Sequence, residues 1–364
     1  MKTFKLFGAS FDPSDSLTKI MIKRKYLDDI SRNIQTKHNI YQDVYDALTS
    51  ESKVINELKL QKIGKFPVES WLQSKPEVED LIFMMPEEFR TFLDTNGCME
   101  YTLELEKFIE EKIFPDFPVM VGVDHSLTGG VLKALSKKYG ADNITVIILD
   151  GHFDAVPTNL RLGLASYSKE HKDEIDVIFP SLLDSIDENL DVPQSYNCGT
   201  FLYYLIKENI IIPKNLIIFG TMDYPGESYK KINDIRVKKY IDFYLKFEEQ
   251  GTKFIPNNGN CQSMNNKLEN ILQAVETPYL YVSIDVDIGS LNSILAARFM
   301  EFIGLDEACL IDTAQILRKI LNKNKLELIG LDLMEIDIYF LNAKLKSGKS
   351  DKTIKVMDNF LKII

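Results

Sequence analysis

The chain has 364 residues, is 45% apolar and carries a formal net charge of −11. That is enough apolar material for one large α/β domain, and the acidic balance argues against a nucleic-acid partner. No signal peptide and no apolar run of the ~18 residues needed to span a membrane is found. The four cysteines (Cys98, Cys198, Cys261, Cys309) show no paired spacing, so reduced thiols and a cytoplasmic location are expected.

The first predicted element is a strand at residues 4–8. The basic run at 19–25 is interrupted by apolar residues and reads as a solvated helix face. Residues 13–115 lack any strand–helix rhythm. They are rich in Lys and Glu, with apolar residues at helical spacing, as at Val44, Tyr45 and Leu48. The clearest helix spans 101–113, where Leu105, Phe108, Ile109 and Ile113 share one face. We therefore expect a single domain over 1–364 with a helical embellishment at about 30–110.

Beyond it the pattern changes. Residues 118–123, 144–149, 215–220, 279–284 and 328–333 are short, continuous, β-branched apolar runs. Such runs form strands buried on both faces, hence a parallel sheet covered by helices. Residues 163–193 are rich in Lys, Asp, Glu and Ser and read as an inserted, solvated loop. Residues 251–266, rich in Asn and Gly, read as an exposed loop.

Three of the strands end in blocks of ligand-type residues: Val121-Gly122-Val123-Asp124-His125-Ser126, Asp150-Gly151-His152-Phe153-Asp154 and Ser283-Ile284-Asp285-Val286-Asp287. Together they supply His125, Asp150, His152, Asp154, Asp285 and Asp287. Two imidazoles and four carboxylates are enough for two divalent ions, and hard oxygen donors mixed with imidazole suit Mn²⁺. Ions held about 3.5–4 Å apart activate a shared water near neutral pH. Ligands of open α/β sheets bind beyond the carboxyl ends of the strands, where all three blocks lie. The spacing of two within Asp150/His152/Asp154 and Asp285/Asp287 predicts convergence on an extended chain. A lone Asp-x-Asp after a strand is ordinarily a turn or a helix cap, and a lone His an ordinary core residue. Three such blocks in one chain argue for metal. The other histidines, His38 and His171, sit in charged stretches and read as solvated.

These blocks resemble the signatures of the arginase/agmatinase/formiminoglutamase (ureohydrolase) superfamily, Gly-Gly-Asp-His-Ser, Asp-Ala-His-x-Asp and Ser-x-Asp-x-Asp. Every metal ligand of the family pattern is matched. A fourth signature looks like Gly330-Leu331-Asp332-Leu333-Met334-Glu335-Ile336, in which Glu335 matches the carboxylate that faces the substrate. The resemblance covers roughly residues 115–364, with a weaker echo at 4–12. It implies a three-layer αβα fold with a mostly parallel sheet and a di-manganese site. It also implies hydrolysis of a C–N bond in a linear amidine, and trimers or hexamers. In this reading Asp154 holds the attacking water and takes its proton, and Glu335 orients the amidine carbon.

The departures lie on the substrate side. The family's His-Gly-Thr block becomes Asn197-Cys198-Gly199-Thr200-Phe201. Cys198 is then either a proton-transfer group or a small half-buried thiol. A small residue before this Gly-Thr resembles the formiminoglutamase branch. The third motif does not continue to Asp-Pro, and residues 296–301 replace the usual Gly-Thr-Pro stretch before Phe302-Ile303-Gly304-Leu305. Arg298 within it reads as a surface residue, or else as a ligand for a substrate carboxylate. Met334-Glu335-Ile336-Asp337 lacks the trailing Pro. A guanidino substrate yielding urea is the leading expectation, because Glu335 suits a guanidinium. The alternatives are a formimino substrate and a metal-binding inactive relative with a regulatory role.

Overall fold

The structure, a computed structural model, describes residues 3–34, 40–58, 60–172, 194–300, 302–323 and 326–363. Its strands are β1 (Phe4–Ala9), β2 (Gln61–Lys65), β3 (Phe117–Gly122), β4 (Ile144–Leu149), β5 (Leu216–Phe219), β6 (Lys253–Ile255), β7 (Tyr279–Asp285) and β8 (Glu327–Met334). They form one eight-stranded sheet in the order β2-β1-β3-β8-β7-β4-β5-β6. Every strand pair is parallel.

Alternation along the strands splits the core into two layers. In β4, Val146 and Ile148 face one helical layer, and Ile147 and Leu149 face the other. β7 does the same, with Tyr281 on the first side and Leu280, Val282 and Ile284 on the second. A strand covered on both faces has no solvent side, which is why its sequence is continuously apolar. No helix among the described residues is long and apolar enough to cross a membrane.

The helix predicted at 101–113 runs as Gly97–Phe108, extended by a π-helical turn at Ile109–Ile113, and buries Leu105, Ile109 and Ile113. Val44, Tyr45 and Leu48 are buried in the helix Val44–Glu51. Several expectations need correcting. The stretch 30–110 also supplies β2, paired in parallel with β1. Lys23, expected on a solvated face, is buried in the helix Leu17–Ser31, and its Nζ donates to the Asp12 carbonyl at 2.6 Å. Residues 163–170 are the second half of the helix Thr158–Glu170, with Leu164, Ala165 and Tyr167 buried, so they are not loop; 173–193 lie outside the described residues. His171 stacks on Tyr167 with ring centroids 4.5 Å apart and stays exposed, while His38 lies outside the described residues. The expected loop at 251–266 contains β6 and the start of the helix Cys261–Gln273, whose first turn Asn260 caps by accepting from Ser263 N at 3.0 Å. Finally, Cys261 and Cys309 form a disulfide with Cα atoms 5.6 Å apart. It ties the helix Cys261–Gln273 to the helix Glu307–Lys323; the separation of 48 residues hid a pairing that helix packing creates. Cys98 and Cys198 are free.

Candidate metal centre

β3, β8, β7 and β4 are neighbours in the sheet, and the site lies across their carboxyl ends. β7 and β8 come last in the chain yet fill the gap between β3 and β4. That reversal of strand order opens a crevice of the kind that binds ligands in α/β sheets. The tip of β3 delivers His125, that of β4 Asp150, His152 and Asp154, that of β7 Asp285 and Asp287, and that of β8 Glu335. All seven are buried.

The carboxylates converge through turns rather than through strand alternation. Asp150 Oδ1 accepts from His152 N at 2.6 Å, and Asp285 Oδ1 accepts from Asp287 N at 2.8 Å. Asp124 Oδ1 accepts from Ser126 N at 3.1 Å. Each strand thus ends in a turn in which an Asp bonds the backbone two residues on, and that turn sets the direction of the next ligand.

Two groups result. One ligand atom from each of His125, Asp150, Asp154 and Asp285 lies within 4.8 Å of the others, and so do those of Asp150, His152 and Asp287. Asp150 belongs to both. His125 Nδ1 faces Asp154 Oδ2 at 3.0 Å, Asp285 Oδ2 at 3.2 Å and Asp150 Oδ2 at 3.4 Å. His152 Nδ1 lies 2.7 Å from Asp287 Oδ2.

The charge in this cluster calls for cations. Burial and then the negative charge of Asp154 and Asp287 raise Asp150 well above the usual carboxylate range; burial, Asp287 and Asp150 do the same to Asp285. Burial opposes charge on His125, but Asp150, Asp154 and Asp285 outweigh it and raise its pKa well above normal. Asp287 is lowered against its burial because His152 faces it. Protons are thus drawn to where positive charge is wanted. Oδ2 of Asp150 is buried without a hydrogen bond among the described residues. Four carboxylates balance two divalent ions, so the donor set fits such a pair.

The sequence reading missed the residues that hold His125 in place. His125 Nε2 lies 2.9 Å from Ser283 Oγ, which donates to Asp332 Oδ1 at 2.5 Å. Asp332 Oδ2 accepts from Thr128 Oγ1 at 2.8 Å and from the Tyr281 hydroxyl. Since the Ser283 proton goes to Asp332, Oγ accepts from Nε2–H, and Nδ1 keeps its lone pair for a metal. The signal was present: Asp332 is an acid in the middle of an apolar strand, and a buried acid requires partners.

Glu335 adopts φ +63°, a left-handed conformation uncommon outside glycine. Its Oε1 accepts from His125 N at 3.2 Å. Burial pushes its pKa up to about 8 although Arg298 opposes the rise. Arg298 is neither a surface residue nor open to a substrate carboxylate; it is 5% exposed. Its Nη1 lies 2.6 Å from Asp124 Oδ2 and 3.5 Å from Glu335 Oε1, its Nε 3.2 Å from Asp12 Oδ1, and its Nη2 donates to the Pro13 carbonyl at 3.0 Å. Arg161 reaches Asp154 Oδ1 at 3.6 Å and donates to the Gly199 carbonyl at 2.7 Å. Cys198 is half-buried next to Gly199. Burial, then Asp124 and Glu335, push its thiol up, so it stays protonated at neutral pH.

The sequence profile of the arginase family matches residues 31–344. Among solved structures, proclavaminate amidinohydrolase from Streptomyces clavuligerus superposes with a TM-score of 0.55 at 14% identity, covering 100% of this chain and 92% of that one. Arginase from Bacillus caldovelox gives 0.52 at 13%, covering 99% and 98%. Formimidoylglutamase from Bacillus subtilis gives 0.51 at 15%, covering 100% and 87%. At such identities the superpositions establish the fold. A comparison with curated protein sequences returns no significant match.

Proposed function

The chain belongs to the arginase family, and from that premise we propose that its two acid–imidazole groups hold two divalent ions, Mn²⁺ by their donor set, and hydrolyse a C–N bond of a linear amidine. The family consists of metal-dependent hydrolases acting on amidino C–N bonds, and the chain is an enzyme of that class. The observation that carries the binuclear reading is Asp150, which belongs to both ligand groups.

When bound, such an ion pair supplies an activated water and Lewis-acid stabilisation of developing charge. The side chains do the rest. Asp154 presents Oδ2 to His125 and Oδ1 to Arg161, a position from which it holds the attacking water and takes its proton. Ser283 and Asp332 fix the His125 ring, so the geometry is set before substrate arrives. Glu335 lines the substrate side. Cys198, protonated, suits donation of a proton to the leaving amine better than acceptance of one.

Two substrate classes fall within this reading. A guanidino compound releasing urea is favoured by the carboxylate of Glu335. A formimino compound releasing formamide is favoured by the placement of Arg298 against that carboxylate. Members of the family are typically oligomeric, and a homo-trimer or hexamer is proposed here. The test is a product assay on Mn²⁺-loaded protein with guanidino and formimino substrates, alongside Asp154→Ala. Product that falls by orders of magnitude in the variant supports the reading. An absence of product from every amidine, with two ions bound, contradicts it.

A further inference from the structure

The buried knot around Arg298 bears on what the site accepts. A carboxylate next to metal ligands is a natural partner for a cationic substrate group. Here that carboxylate already faces a guanidinium of the chain itself: Arg298 Nη1 is 3.5 Å from Glu335 Oε1, while Glu335 Oε1 also accepts from the backbone N of the ligand His125. The guanidinium is held from every side, by Asp124, Asp12, Glu335 and the Pro13 carbonyl. Its backbone is held too, with Arg298 N donating to the Glu335 carbonyl at 2.7 Å. The side chain is 2% exposed, so this is no mobile surface arginine that swings aside at small cost. Lys23 adds a second buried cation 3.7 Å from Asp12 Oδ2. A guanidinium arriving from solution would meet a fixed guanidinium 3.5 Å from Oε1 of the carboxylate it needs, leaving only the buried Oε2 without a hydrogen bond among the described residues, and like charges in a low-dielectric pocket repel strongly.

We propose that Arg298 is a resident guanidinium occupying the cation subsite beside the metal ligands, so that the enzyme selects an amidine whose recognised end is uncharged or acidic and rejects guanidinium substrates. This rests on the amidine-hydrolase reading above and narrows its substrate class. Arg298 acts here as a specificity determinant through Glu335, not as a catalytic residue.

Methylguanidinium is the probe, because it carries the head group without a tail. Calorimetric titration of the Mn²⁺-loaded wild type is expected to give no saturable binding. Arg298→Ala vacates the subsite and is expected to bind methylguanidinium about tenfold more tightly or better, with a matching rise in melting temperature. Arg298→Lys keeps the charge and is expected to stay refractory, which separates charge from folding damage. If Arg298→Ala does not fold, the wild-type titration still decides: saturable binding there overturns the proposal. Urea release from guanidino substrates by the wild type also overturns it, while leaving the amidine-hydrolase reading intact. Failure of the wild type to cleave any amidine would strike that broader reading, and the binding comparison would still judge the subsite.

Discussion

Burying a carboxylate is costly unless something positive or a hydrogen-bond donor meets it, and each buried acid here reports what meets it. Asp332 meets Ser283, Thr128 and Tyr281, and through Ser283 it orients His125. Ser283→Ala should therefore weaken divalent-ion affinity about 10- to 100-fold with little change in the fold. Metal titration beside circular dichroism checks this, and unchanged affinity would remove the positioning role. Asp12 answers to a different neighbourhood. Burial alone would raise its pKa, but Lys23, Arg298 and Lys19 bring it down to about 2. Its folded pKa lies below the unfolded value near 3.9, so its stabilisation is complete above about pH 4 and fades as pH falls through about 2. Asp12→Asn should then cost about 2 kcal/mol near pH 6, a gap that narrows toward pH 2.5 in denaturant melts. A gap independent of pH would contradict that assignment. Residue types and spacing made the ligand set legible from the sequence. They left Arg298 illegible, because its burial depends on Asp12 and Asp124, far away in the chain.

Among the elements, legibility followed burial. β3, β4, β7 and β8 are covered on both faces and announce themselves as apolar runs; their observed ends fall within one residue of those read from the sequence. β2 and β6 do not. β2 is the exposed, largely polar edge of the sheet, and β6 is three residues long at the other edge. Edge strands are kept short and polar to avoid mispairing, so they carry little hydrophobic signal. Helix packing makes further demands. A Cβ on Gly130, in the helix Thr128–Tyr139, would lie 2.6 Å from the Thr102 carbonyl oxygen and 2.9 Å from Leu105 Cβ on the helix Gly97–Phe108. Gly130→Ala should destabilise by about 1–3 kcal/mol, read as a lower melting temperature. The Cys261–Cys309 bond closes a separation of 48 residues, for which chain entropy allows up to about 4 kcal/mol. Reduction, or Cys309→Ser, should lower denaturant resistance while leaving ion binding intact. No loss of resistance would mean the bond does not restrain the unfolded chain.

At the scale of the molecule, the sheet order explains why ligands separated by up to 162 positions, His125 to Asp287, come together. β7 and β8 return to the middle of the sheet and set four strand ends side by side. The sequence picked out the six residues that the fold gathers into two groups able to hold metal, since ligand-type blocks at strand ends are local patterns. It did not show that Arg298 stands 3.5 Å from Glu335, nor that Arg161 contacts Asp154 and Asp332 contacts Ser283, since those contacts are made by the tertiary fold. The metal count tests the central claim most directly. Apo protein dialysed against Mn²⁺ and analysed by elemental analysis should hold two ions per chain, His152→Ala one, and Asp150→Asn, which alters the shared ligand, fewer than one. A wild type that binds one ion or none, or an Asp150→Asn variant that still holds two, would contradict the account.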